Sequence, residues 1–399
     1  MKSALLQKFI ALGLLALPAI APAAQRTNMP VKQVEHLTDP RALLNHLRAL
    51  GYKVHGGIDR ATSERISSES EGGRVFPTFS SSFSVGGVTY PFTMVGHPPQ
   101  SGRTARIRSV IIPLRMNFVG FGRNQDVNVT FDPAPAVANV VASPLYRSAA
   151  YVAGFNGQFV DQMQRAAFWN LMDSEHEWHV LMQKPQVLPT VDIEVTTETV
   201  GPGGLTDIGG GNFIGDVLFT FMDAEIQTIL QFLNLDADTL PIFVTDGVTN
   251  EALGYHNAST ITDQNGVTSL QTYIFTSWLD PALVPPIFAD VSTFNHELAE
   301  WTNDPFINNA VPTWAYPPPS DPRTVCAGNP FLEVGDPQGN GPTFDDFPAA
   351  EIPIDGVTYH LQQLVLWEWF TDRIPSGAFG GWFTFPIPSS LTVPAVYCH

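Results

Sequence analysis

The residues best placed to do chemistry lie between Phe288 and Pro305, where His296, Glu297 and Glu300 form the pattern H-E-x-x-E. In the same run Val291, Phe294, Leu298 and Trp301 recur at intervals of three and four residues, the apolar stripe of a helix that Pro305 brings to an end. At 100° per residue His296 and Glu300 fall together on the opposite face, one turn apart, with Glu297 beside them. Zinc accepts imidazole nitrogen and carboxylate oxygen, and two donors four residues apart on one helix present both without any loop having to order. Glu297 is then the general base, placed to take a proton from water. The ordinary reading is a solvated helix face with a His–Glu pair worth a few tenths of a kcal/mol. Scarcity argues against it, because ten histidines and fifteen glutamates among 399 residues put the expected number of such matches at about 0.014.

A catalytic zinc site wants three protein donors. Downstream, Phe331-Leu332-Glu333-Val334-Gly335-Asp336 supplies two carboxylates. Either Glu333 is the third ligand and Asp336 the acceptor that fixes the imidazole tautomer of His296, or the roles are reversed. Asp304, two turns beyond His296, reaches toward the same face or simply ends the helix. His256, in Gly254-Tyr255-His256-Asn257, is a candidate to bind substrate or polarise a carbonyl. His176-Glu177-Trp178-His179 also combines two histidines with a glutamate, but at a spacing that does not match the helical geometry, and His360 sits in an apolar stretch that reads as core. Calcium held as a structural ion by the surplus carboxylates is a further option beside Zn2+.

The elements that must position these residues follow from the pattern. Residues 1 to 23 carry Lys2 and Lys8, an apolar run and Ala21-Pro22-Ala23, which reads as a secretory signal peptide. Residues 24 to 75 are polar, contain a short predicted helix from Asp39 to Gly51, and read as a flexible or pro-region-like segment. From 76 to 200 the chain is rich in strand signals: a hairpin around Gly86-Gly87, the β-branched run Val110-Ile111-Ile112 and another strand at 127 to 131, with one helix near 158 to 172. Glycines at 201–204 and 209–211 bracket either a flexible joint between two domains or a long surface loop. Beyond it, from 213 to 399, come a helix near 223 to 235, strands at 241 to 245 and 270 to 278, and the His296 helix. That order is the minimal scaffold of a zincin, so the expected fold class is α+β: a zincin-like metallopeptidase core with an N-terminal β-rich part.

Composition narrows the partners. Without the two signal lysines, 18 basic residues face 38 acidic ones, which makes nucleic acid and anionic membrane surfaces poor partners. No run beyond the signal is long enough to span a bilayer. The expected localisation is therefore secreted, extracellular or periplasmic. In that setting Cys326 and Cys398 are expected to form a disulfide.

His296-Glu297-Leu298-Ala299-Glu300, with Asn303-Asp304-Pro305, Trp314 and Glu333-Val334-Gly335-Asp336, resembles the phosphate-induced, exordium-like extracellular proteins and related secreted bacterial zincin-like proteins. Gly254-Tyr255-His256 and Leu361-Gln362 fall in the matching order, so the likeness covers roughly residues 240 to 370. One departure is Gln338, where the family pattern has a cysteine. The resemblance implies a metallopeptidase-like fold more than an activity. Two functions are expected from residues and resemblance together. The first is a secreted zinc-dependent metallopeptidase cutting peptide or protein substrates. The alternative is a non-catalytic extracellular protein that binds a wall polymer or a protein partner, with Trp314, Tyr316 and Trp382 as loop aromatics.

Overall fold

A computed structural model describes residues 76–371 and 373, apart from 153–154, 172–177, 234, 263–265, 317–324, 327–330, 340–348 and 363. The expected signal, the segment to residue 75 with its short helix, His176, Glu177, Trp382 and Cys398 lie outside the described residues, and with Cys398 the expected disulfide.

The molecule is organised on strand β3 (Thr104–Phe121), reached through the hairpin β1 (Thr78–Val85) and β2 (Val88–Val95) and followed by β4 (Val127–Phe131). Later in the chain come β5 (Thr239–Asp246), β6 (Gly254–Thr262) and β7 (Thr268–Trp278), then the hairpin β8 (Ala349–Ile354) and β9 (Val357–Gln362). The main sheet runs β6-β7-β5-β3-β4, and three short strands pair in parallel along β3. Strand β5 is parallel to both β3 and β7, while β6 returns antiparallel to β7. Its sequence Thr-Leu-Pro-Ile-Phe-Val-Thr-Asp is almost uninterruptedly apolar, as a central strand covered on both faces must be.

The cover comes from helices among α1 (Ala134–Ala142), α2 (Phe159–Ala167), α3 (Phe219–Leu233), α4 (Ser292–Asn303) and α5 (Trp367–Phe370). Side chains alternate across the pleat. On one face the register row Ile112, Phe243, Phe275, Tyr255 packs in the core that contains Met222, Ile226, Ile229 and Leu230 of α3. On the other, the row Ile111, Ile242, Ile274 and His256 faces α4, whose Phe294, Leu298 and Trp301 share a core with the three isoleucines. His256 is the one polar member of its row.

The expected fold class needs correction. Of the described residues 46% are strand and 24% helix, so the protein is β-rich rather than a zincin-like α+β core joined to a separate β part. Two misreadings explain the error. The glycine-rich stretch expected to be a joint or a surface loop forms strand Val200–Gly209 and the turn into Asn212–Val217. Strand β6 escaped notice because His256, Asn257, Ser259, Thr260 and Thr262 break the apolar pattern that marks a strand. Strand β3 and the strands around His256 consequently share one sheet.

Helix α4 is buried along its whole length, including the face that carries His296, Glu297 and Glu300. It lies against β6, β7, β9 and β2. Its start is pinned by Asp290, at φ 43°, whose carboxylate accepts from the N–H groups of Val291 and His360. Its end is closed by Asp304, which accepts from the N–H of Asn308 at 2.9 Å and of Asn309 at 3.1 Å. Trp314 is only 1% exposed and packs edge-on against Trp369 and Phe370. It is a core residue and not the exposed binding aromatic its loop-like context suggested.

At the C-terminal end of β5, Asp246 lines a cavity of about 280 Å³ together with Asp132, Asp280, Phe131 and Phe213. Burial, then the charges of Asp280 and Asp132, push its carboxyl up to about 7. A raised carboxyl destabilises the fold progressively as pH rises from the unfolded value near 4 to about 7, and the cost stays in place above that. Asp246→Asn should therefore stabilise the protein at pH 8 by about 1–2 kcal/mol, after discounting for the open cavity, and have little effect near pH 4. Urea unfolding at the two pH values checks it.

Candidate metal centre

Three segments bring six ionisable side chains together. Helix α4 supplies His296, Glu297 and Glu300 on one face. Strand β6 supplies His256, and alternation fixes its direction: Tyr255 donates to Asp223 of α3 at 3.0 Å, as Tyr273 does at 2.7 Å, so the next residue points to the opposite face. The third segment, residues 331–336, is held by a bridge between Phe331 and Ala310 and by the Val365 N–H donating to the Val334 carbonyl at 3.0 Å. Leu332 and Val334 are buried in the core, and Glu333 and Asp336 come to the centre.

His296 Nε2 lies 3.0 Å from Glu300 Oε1 and 3.8 Å from Asp336 Oδ1. His256 Nδ1 lies 3.4 Å from Glu297 Oε2 and 3.7 Å from Glu300 Oε2, while its Nε2 is 3.8 Å from Glu333 Oε2. His256, His296, Glu297 and Glu300 are completely buried, Glu333 is 3% exposed and Asp336 6%.

The tautomer of His296 is set by Gln362 of β9. The Gln362 amide donates from Nε2 to the Gly335 carbonyl at 2.8 Å, which leaves its Oε1 to accept from His296 Nδ1 at 2.9 Å. Nε2 is thereby the nitrogen directed at Glu300 and Asp336. The Gln362 carbonyl accepts from Asn295 Nδ2 at 2.8 Å, tying β9 to α4 a second time. The backbone N–H of Gly335 donates to Glu300 Oε1 at 3.1 Å. A Cβ on Gly335 would stand 2.4 Å from His296 Nδ1, and one on Gly254 would stand 2.9 Å from the Phe275 carbonyl and 3.0 Å from Glu297 Cγ. Both glycines let backbone approach the site where a side chain would fill it.

Burial works to lower the His296 pKa, but Glu300, by charge and hydrogen bond, and then Glu297 and Asp336 outweigh it and raise it to about 9. Burial raises the Glu297 carboxyl, against the hydrogen bond from His256 and the charge of His296. Protons or cations must therefore lie between these groups. Two sets of three, His256–Glu297–Glu300 and His296–Glu300–Asp336, each bring their donor atoms within 4.8 Å of one another. The residues fit a metal ion: imidazole and carboxylate donors converge, one imidazole has its far nitrogen anchored, and Glu297 Oε1 has no hydrogen-bond partner among the described residues.

The sequence-derived candidates thus meet at one place. Asp336 faces Nε2 of His296, while Gln362 takes the orienting role considered above for Asp336 or Glu333. His256 stands between Glu297, Glu300 and Glu333. Asp304 has its oxygens committed to the turn after α4. His360 bonds to Asp290 at 2.6 Å, and His179 to Asp161 at 2.9 Å. Gln362 and the two glycines were not singled out as functional by sequence reasoning. Gly254, Gly335 and Gln362 stand in the stretches that carry the resemblance, which gave their place in the chain but no role for them. Compared with models of protein families, with characterised proteins and with solved structures, the chain matches none.

Proposed function

We propose that the protein is an exported metal-dependent hydrolase acting on peptide bonds. The observation that carries the reading is the convergence of His296, Glu300 and Asp336, with the imidazole oriented by Gln362, next to a fourth group, Glu297, able to hold a proton. Zn2+ is the cation that suits such a donor set, held by His296, Glu300 and Asp336, and when bound it would polarise a substrate carbonyl. Glu297 takes the proton of the attacking water and passes it to the leaving amine, with His256 at 3.4 Å stabilising the carboxylate. Strand β6, which carries His256, is the end strand of the main sheet among the described residues, and an extended peptide is the ligand that such an edge accepts.

The test is hydrolysis of denatured protein and of a peptide library by the purified chain. Activity should disappear on strong chelation and return with Zn2+. Glu297→Gln should lower turnover by roughly 10²–10⁴-fold while the ion held by His296 stays bound. Cleavage that survives chelation would sink the reading.

The complete burial of the centre favours a second reading, in which the ion is structural and the protein works extracellularly by binding a wall polymer or a partner. In that case chelation should lower the melting temperature and no substrate should be cut.

A further inference from the structure

We infer that the centre is built for two divalent cations, with the carboxylate of Glu300 shared between them. This rests on the metal reading above and extends it. The six side chains do not converge on one point. Five of them form the set His296–Glu300–Asp336 and the set His256–Glu297–Glu300, with Glu300 alone in both, and Glu333 stands 3.8 Å from His256 Nε2 outside either set. Its two oxygens face different imidazoles: Oε1 is 3.0 Å from His296 Nε2, and Oε2 is 3.7 Å from His256 Nδ1. A carboxylate whose two oxygens address two different imidazole nitrogens is arranged as a bridge.

Charge points the same way. Glu297, Glu300, Glu333 and Asp336 place four carboxylates in a volume that is 6% exposed or less. One divalent cation balances two of these charges, and two balance all four. Burying uncompensated charge costs several kcal/mol per ion, so once all four carboxylates are ionised the doubly occupied centre is the electrically balanced one. Two histidines with four carboxylates is also the donor composition of dinuclear carboxylate centres in helical bundles.

Gln362 accepts from the Nδ1 of His296 and leaves Nε2 for a cation. Glu333 faces Nε2 of His256 at 3.8 Å and leaves Nδ1 toward Glu297 and Glu300. With the second cation absent, Glu297 is the proton-carrying group of the proposed reaction. With it present, Glu297 is a ligand.

The experiment is metal content of the purified full chain, by mass spectrometry after equilibrium dialysis against Zn2+ and, separately, Mn2+. Wild type is compared with His256→Ala, Glu297→Gln and Glu300→Gln, each checked for folding by circular dichroism, and with His256→Gln in reserve should the alanine variant not fold. Two ions per chain are expected in wild type, and one in both His256→Ala and Glu297→Gln. The Mn2+ form should show the paramagnetic resonance of a coupled pair, lost in Glu300→Gln. One ion in wild type, unchanged by His256 or Glu297 substitution, would overturn the second site and leave the hydrolase reading standing. Two ions with uncoupled spectra would overturn the shared carboxylate. Two coupled ions without peptide cleavage would uphold this inference and remove the hydrolase reading, and none bound would remove both.

Discussion

Gly335→Ala is expected to cut cation affinity by at least about 100-fold and to destabilise the fold by about 1–3 kcal/mol, although it adds one methyl group far from any turn that demands glycine. The new Cβ would lie 2.4, 2.6 and 2.7 Å from Nδ1, Cε1 and Cγ of His296, distances at which something must move. The imidazole cannot retreat without breaking its bond to Gln362, and Gln362 is itself held by the Gly335 carbonyl. If the backbone moves instead, the Gly335 N–H leaves Glu300 Oε1. The first response displaces His296 itself, and the second releases Glu300 and shifts the backbone beside Asp336. Dialysis against Zn2+ followed by metal analysis, with chemical unfolding of the cation-free protein, separates the two losses. A variant that binds Zn2+ like wild type would show that the 335 backbone does not hold the imidazole in place.

How much of this was legible in the sequence depends on the kind of signal. Helix α4 was legible because Val291, Phe294, Leu298 and Trp301 obey a short-range period, and its chemical face followed from the same geometry. Sequence could not show that this face is buried, since His296, Glu297 and Glu300 look like any solvated helix face until β6, β9 and residues 333–336 are folded over them. Strand β6 was hidden by its own polar residues. His256 faces the centre and Asn257 bonds Tyr273 on the other side, so the polar residues that break the strand pattern are those with partners across the sheet. The fold class failed for a related reason: β3 pairs with β5, more than 100 residues away, and no local pattern announces so distant a partner. Gln362 is a neutral amide whose role depends wholly on Gly335 and His296 being next to it.

On the proposed metal reading, the same network should make cation binding steeply pH-dependent. Glu300, Glu297 and Asp336 hold the His296 imidazolium up to about pH 9 against the opposing effect of burial, so below that value a cation must displace a proton from Nε2. Apparent affinity should rise about tenfold per pH unit, roughly 100-fold between pH 7 and 9, and then level off. A histidine with an ordinary pKa near 6.5 would already be level across that range. Stability of the cation-free protein should move the other way. A pKa raised on folding stabilises below the unfolded value, and that contribution is lost as pH climbs from about 6.5 through 9. The gap in melting temperature between cation-bound and cation-free protein should therefore widen toward pH 9. Competition with a chelating dye at pH 7, 8 and 9, beside thermal melts, measures both, and a flat affinity over that span would refute the coupling of His296 to its carboxylates. Gln362→Leu sharpens the test: without the Nδ1 acceptor the imidazolium loses one of its two hydrogen bonds, so the affinity should level off at lower pH and its plateau should fall by about 10–100-fold.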